Sequence, residues 1–127
     1  MKYYFSKQVD YSFDDAIARV TGALKEEGFG VLTEIDVQDT LKKKLNVDFK
    51  KYKILGACNP PFAFKALSVE DKIGLMLPCN VVVEEENGKT EISAIDPVAS
   101  MQGVDNPGLA ETAEEVRRRL QRVIEKV

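Results

Sequence analysis

Two segments, YKILGACNPP (residues 52–61) and LPCNVVV (residues 77–83), decide the fold, and each contains one cysteine. YKILGA is a short apolar run bounded by glycine, asparagine and proline, so it predicts a β-strand that ends near Cys58. The Asn-Pro pair that follows is typical of a helix N-cap and a first helical position, which predicts a short helix over residues 61–67. We therefore expect two strands joined by a short helical crossing.

The segment from Leu77 to Asp96 predicts a β-hairpin. Asn87-Gly88 favours a two-residue type I′ turn, because both central positions of that turn need positive φ. Counting back from this loop places Val83 opposite Ile92, Val81 opposite Ala94 and Cys79 opposite Asp96. Alternate residues of a strand share one face, so we expect these three pairs to lie together on the buried face of the sheet.

A cluster of reactive side chains follows from this register. Consecutive strands often pair, and antiparallel pairing puts the end of the first strand beside the start of the next. We therefore expect Cys58, Cys79 and Asp96 to meet at one end of the sheet, with Asn59 and Asn80 beside them. This is the one convergence of reactive groups that the sequence predicts.

Length and composition place the chain in a broad class. Its 127 residues, 44% hydrophobic and 31% charged, predict one soluble globular domain over residues 1–127. No apolar run approaches the roughly 20 residues needed to span a bilayer. Two cysteines without a signal peptide indicate a reducing cytoplasm, where a structural disulfide is unusual. We expect a cytoplasmic protein with no membrane partner.

The composition also excludes several kinds of chemistry. The chain has no histidine, which excludes Ser-His-Asp and Cys-His catalysis and histidine metal sites. Its net charge of −3 argues against nucleic acid and anionic membranes, since both select a basic surface. No catalytic constellation stands out, so the enzyme class stays open and the balance favours a non-enzymatic domain.

The rest of the chain supplies two long helices and two further strands. Ser12 is a good N-cap for a helix that Gly28 ends, and Asn106 is a good N-cap for an amphipathic final helix. Strands are predicted near residues 2–9 and 29–36. The order is β-α-β-α-β-α-β-β-α, with short second and third helices. We expect an α+β fold, a mostly antiparallel five-stranded sheet with both long helices on one face.

At GFGVLTEIDV (residues 28–37), GACNP (56–60) and LPCNVVV the sequence resembles a small prokaryotic family, domain of unknown function 302. The combination of GACNP with LPCN is specific, and the likeness covers almost the whole chain. The resemblance implies a β-α-β4-α fold, like one repeat of the TATA-box-binding protein, with the short helices as insertions. Such a likeness of fold does not imply DNA binding. The family has no settled activity, so the resemblance implies no catalytic residues.

Several interpretations of the cysteine end of the sheet stay open. The cysteines can be small buried core residues, since free cysteine is among the most buried residue types. They can instead form a redox pair or a persulfide carrier, with the helix after Asn59 lowering the thiolate pKa of Cys58. A zinc site is a third interpretation, with Cys58, Cys79 and Asp96 as ligands and a fourth ligand from elsewhere.

Two interpretations do not depend on thiol chemistry. The first is a small-ligand cleft between the sheet end and the irregular segment of residues 97–106. The second is a non-enzymatic module that forms a homodimer through a sheet edge or the last helix, with the cysteines in the core.

The acidic net charge leads us to expect weak affinity for nucleic acid. We expect no binding to duplex DNA near physiological salt, because a chain with a net charge of −3 lacks the excess of Lys and Arg that neutralises phosphates. Fluorescence anisotropy with a labelled duplex measures this directly. A salt-dependent affinity tighter than about 1 μM would contradict the expectation.

Overall fold

The computed structural model describes residues 2–127. Its strands are β1 (Tyr4–Val9), β2 (Gly30–Asp36), β3 (Lys51–Cys58), β4 (Cys79–Glu86) and β5 (Lys89–Ile95). Its α-helices are α1 (Phe13–Glu26), α2 (Val37–Leu45), α3 (Pro60–Val69), α4 (Pro97–Ser100) and α5 (Ala110–Lys126). Two 3₁₀ helices, Asp71–Met76 and Pro107–Leu109, follow α3 and precede α5.

The five strands form one antiparallel sheet in the order β1-β5-β4-β3-β2. Both long helices, α1 and α5, pack on the same face of it and against each other. The expected α+β class and five-stranded antiparallel sheet are confirmed, and the short helices are insertions in a β-α-β4-α order. This order is compatible with a TATA-box-binding-protein-like arrangement. Over residues 2–127, no helix is both long and apolar enough to cross a bilayer.

The predicted hairpin forms with the predicted register up to its last pair. Asn87 and Gly88 have φ of 54° and 76°, as a type I′ turn requires. Val83 pairs with Ile92 and Val81 with Ala94, and all four side chains are buried. The predicted register of the hairpin is therefore confirmed over these pairs.

The third expected pair, Cys79 with Asp96, does not form, because the β4–β5 ladder ends at Val81 and Ala94. The backbone N–H of Asp96 instead donates to the carbonyl of Tyr3, at 2.7 Å. Pro97 then begins α4, and a proline has no N–H to extend a ladder.

The main core lies between the sheet and the two long helices. Val20 and Leu24 from α1 and Leu120 and Val123 from α5 are fully buried in it. A second, smaller core joins Ala66 of α3, Ile73 of the 3₁₀ helix and Leu109 before α5. The insertion between β3 and β4 is thus held against the segment before α5, beyond the end of the main core.

The end of α1 is fixed by its backbone and by one carboxylate. Gly28 has φ of +88°, a conformation in which a side chain is strained, and it turns the chain into β2. The Glu27 side chain is buried and accepts hydrogen bonds from Arg122 at 2.8 Å and from Lys126 at 2.7 Å. These bonds hold the pKa of Glu27 at about 2, below its ordinary 4.5, and they tie α1 to the C-terminal turns of α5.

Glu27→Gln should destabilise the fold by about 2 kcal/mol near pH 7, because the substitution removes charge-assisted hydrogen bonds. The lowered pKa of Glu27 contributes stability above pH 4.5 that is lost as the pH falls towards 2. The variant should therefore lose less stability than wild type over that range. Urea unfolding at pH 7, 4 and 2.5 measures both effects.

The adjacent Glu26→Gln is the matched control. Glu26 is exposed and contacts Lys126 at 3.2 Å, so its loss should cost less than about 0.5 kcal/mol. Equal costs for the two variants at pH 7 would contradict the role of Glu27.

Candidate functional site

A cavity of about 330 Å³ lies where the two cores meet. Phe29, Ala57, Cys79 and Val116 of the main core form one side of it. On the other side are Ala66 and Leu109 of the smaller core and the side chains packed on it, Leu77 and Met101. The cavity is thus a gap between the sheet end, the α3 insertion and the first turns of α5.

Small residues leave this space open. Ala57, Ala63, Ala66 and Ala113 all line the cavity, and larger side chains at these positions would fill it. Gly56 serves a different purpose on the other face of β3. A Cβ atom there would lie 2.2 Å from Thr33 Oγ1 and 2.8 Å from Pro78 Cγ, so only glycine permits this close approach of β2 and the start of β4.

Polar groups are few in the cavity wall. Asn59 is buried with 6% of its surface exposed, and its Nδ2 donates to the backbone carbonyl of Glu27 at 3.3 Å. Asn59 occupies the N-cap position of α3, as predicted, but its side chain makes no capping hydrogen bond. Its side chain holds the β3–α3 junction against the end of α1. Cys58 and Thr112 are the other polar contributors.

The two cysteines are free thiols that line the cavity at different points. Cys79 pairs across the ladder with Ala57, not with Cys58. Cys58 is the last residue of β3 and lines the cavity from the junction of β3 with α3. Burial raises the pKa of the Cys79 thiol to about 11, against an ordinary 9.0. That shift disfavours the thiolate, which is the nucleophile and the metal ligand.

The predicted cluster of Cys58, Cys79 and Asp96 is not assembled. The Asp96 carboxylate accepts from the backbone N–H groups of Val98, at 3.0 Å, and Ala99, at 3.4 Å. These bonds cap α4, and the same carboxylate accepts from Arg117 Nε at 3.1 Å. Asp96 is therefore a cap and an ion-pair partner, and it does not line the cavity.

Asp96 is therefore not placed to act as a zinc ligand beside the cysteines. Across residues 2–127, no group of three or more Cys, Asp or Glu side chains is placed to hold a metal ion. Cys58, Cys79 and Asp96 do not come together as a ligand set, because the Asp96 carboxylate is engaged by the start of α4 and by Arg117 of α5.

Asn80, also expected at the cysteine site, is exposed on the opposite face of the sheet. It follows Cys79 directly in β4, so strand alternation turns it away from the helices. Of the five predicted site residues, the structure brings Cys58, Asn59 and Cys79 to the cavity and takes Asp96 and Asn80 elsewhere.

Most of the cavity wall was not predicted. Phe62, Ala63 and Leu67 come from α3 and Leu109 from the 3₁₀ helix before α5, whereas Pro97 and Met101 belong to the segment of residues 97–106 that was expected to border a cleft. The sequence of α3, PPFAFKALSV, could have indicated an apolar site, because it holds more apolar residues than one buried stripe requires. Phe64 and Leu67 remain exposed by 73% and 44%.

Comparison with known proteins identifies the family of this chain. The model of a family described as "Domain of unknown function DUF302" matches residues 5–127. The chain belongs to the DUF302 family. The resemblance carried by GACNP and LPCN is thereby confirmed, and no curated protein matches the chain.

The fold has a solved relative within the family. The crystal structure of an uncharacterized conserved DUF302 protein from Bacillus stearothermophilus superposes with a TM-score of 0.92 at 32% sequence identity. The match covers 99% of this chain and 98% of that one.

The two thiols should differ sharply in reactivity. With a pKa of about 11, roughly one Cys79 thiol in a thousand is ionised at pH 8, against about one in ten at the ordinary pKa. Iodoacetamide should therefore label Cys58 in the native protein and Cys79 only after unfolding. Mass spectrometry of labelled peptides, with and without urea, measures both rates.

Cys58→Ser should abolish native labelling, whereas Cys79→Ser should leave it unchanged. The second substitution places a hydroxyl in a buried apolar site, which should cost about 1–3 kcal/mol of stability. Labelling of both native thiols at one rate would show that Cys79 is not the buried, weakly ionised group described above.

Proposed function

We propose that this protein binds a small, neutral and predominantly apolar molecule in the cavity between its two cores. The observation that carries the proposal is the cavity itself, whose volume of about 330 Å³ lies within the size range of ligand sites. Protein interiors are close-packed, and space among apolar side chains costs stability in proportion to its volume. A ligand that fills the space recovers those contacts, which favours binding over a simple packing defect.

The wall chemistry specifies the class of ligand. No charged side chain lines the cavity over residues 2–127, so an ionised ligand would lose its hydration without compensation. Asn59 and Thr112 can orient one or two polar atoms of a ligand. For scale, an engineered apolar cavity of ~150 Å³ binds benzene. The larger space here suits a bicyclic aromatic or a short alkyl chain with one polar end.

The entrance is apolar as well. Leu32, at 67% exposure, and Leu67 border the opening from β2 and α3. Phe64 and Leu75, which follow the lining residues Ala63 and Gly74 in sequence, are among the most exposed apolar side chains. Exposed apolar residues that adjoin a cavity are typical of ligand-binding grooves.

A redox function of the two thiols has less support than ligand binding. A redox pair needs two thiols that approach within bonding distance and at least one stable thiolate. Burial works against the thiolate of Cys79. We propose instead that both sulfur atoms act as polarisable wall groups, in contact with the apolar body of the ligand.

Ala63→Phe tests the proposal by filling the cavity from α3. Wild type should bind 1-naphthol with an affinity measurable by isothermal titration calorimetry, and the variant should bind it at least ten-fold more weakly. The reason is steric, since the phenyl ring would occupy the space that the probe needs.

Ala18→Phe is the matched control, because Ala18 is exposed on α1, away from the cavity wall. It should leave the affinity for 1-naphthol unchanged. Wild type that binds neither 1-naphthol, indole nor n-octanol would overturn the proposal, as would an unchanged affinity in Ala63→Phe.

A further inference from the structure

The face of the sheet opposite α1 and α5 carries a second concave site. It is a groove of about 300 Å³, and its walls hold three of the four tyrosines of the chain, Tyr3, Tyr4 and Tyr52. Val82 and Ile95 provide apolar surface, and Glu84 and Glu91 provide charge. We call this site the tyrosine groove. It shares no lining residue with the cavity described above.

Two carboxylates in the tyrosine groove face each other across the ladder. Glu84 of β4 lies directly opposite Glu91 of β5, and like charges at such positions repel. Lys50 relieves one of them, since its Nζ lies 2.7 Å from Glu84. Glu91 forms no ion pair with any basic residue between positions 2 and 127, although Lys89 lies two residues away on the same face. A cation beside Glu91 would therefore relieve an existing repulsion.

The rings of the tyrosine groove already attract ammonium groups. Lys50 Nζ lies 6.0 Å from the centroid of the Tyr52 ring, and Lys2 Nζ lies 5.8 Å from that of Tyr4. Tyr3 packs edge-to-face on Tyr4, with centroids 5.0 Å apart. Aromatic faces next to carboxylates are the surfaces that recognise substituted ammonium ions. Two ammonium groups therefore already lie within about 6 Å of rings of the tyrosine groove.

We propose that the tyrosine groove binds a small organic cation, a substituted ammonium. Its charge lies against Glu91 and the tyrosine rings, and its alkyl groups cover Val82 and Ile95. A substituted ammonium is more weakly hydrated than a metal ion, so it is the cation that a site of rings, aliphatic side chains and one unpaired carboxylate selects. The groove then binds a cation on one face of the sheet, and the cavity binds a neutral apolar molecule on the other.

The test uses a cation and its neutral isostere. Choline and 3,3-dimethylbutan-1-ol have nearly the same shape and differ in one atom, the charged nitrogen or a carbon. Choline should bind at least ten-fold more tightly, and it should shift the NMR ring resonances of Tyr3, Tyr4 and Tyr52. The chain has no tryptophan, so tyrosine fluorescence should report the same titration.

Glu91→Gln should weaken choline binding by about five- to ten-fold, because it removes the unpaired carboxylate and keeps the side-chain shape. The matched control is Glu125→Gln, which makes the same charge change on exposed surface of α5, across the sheet from the groove. It should leave the affinity unchanged. Ala63→Phe should also leave choline binding intact, which separates this site from the apolar cavity.

Three results would overturn the proposal. Equal affinities for choline and its isostere would show that charge is not recognised. Unmoved tyrosine resonances would show that any binding lies elsewhere. A dimer in sedimentation equilibrium whose tyrosine resonances are protected before choline is added would show that a second copy of the chain covers the groove.

Discussion

The architecture of this protein depends on the contacts that hold the end of α1. Both the side chain and the backbone carbonyl of Glu27 make these contacts. Its carboxylate binds Arg122 and Lys126 near the end of α5. Its backbone carbonyl accepts from Arg119 at 3.0 Å and from Asn59 at 3.3 Å, at the junction of β3 and α3. The positive φ of Gly28 turns the chain immediately afterwards, and a Cβ there would lie 3.0 Å from Asn59 Nδ2. Glu27 thus joins α1, α5 and the start of the insertion. Its partner Asn59 also lines the apolar cavity.

The cavity exists because two cores meet without merging. The main core is closed by long aliphatic side chains such as Leu24 and Leu120, whereas alanines from both sides, Ala57 and Ala113 and, in the insertion, Ala63 and Ala66, line the space between the cores. Large side chains there would join the two cores and add stability. Natural proteins commonly forgo such stability where a site needs space. The alanines therefore support a binding role more strongly than the cysteines do.

What could be predicted from the sequence was local. The Asn87-Gly88 turn, the Ser12 cap and the Gly28 stop depend on residues within a few positions of each other, and each occurs as expected. The errors arose where a distant partner decided the outcome. Asp96 binds Arg117, 21 positions away, and its N–H bonds to the other end of the chain at Tyr3. The side chain of Asn59 does not cap α3, because it donates to the backbone carbonyl of Glu27, 32 positions away. A cleft beside residues 97–106 was among the interpretations of the sequence, but the α3 side of the cavity was not, because periodicity reports which side chains are buried and not the space that small ones leave.

Strand β4 links the two candidate sites, because it supplies residues to both faces of the sheet. Cys79 lies in the wall of the cavity, whereas its neighbours Asn80, Val82 and Glu84 line the tyrosine groove. Side chains alternate with a period of two, so a slip of one residue in the register would exchange the two sets. It would place Glu84 against α1 and α5, and it would turn Cys79 out of the cavity. The Asn87-Gly88 turn fixes this register through the pairing of β4 with β5. A two-residue loop remote from the cavity therefore determines which chemistry each face presents, and the separation of an apolar site from an anionic one is a consequence of strand register.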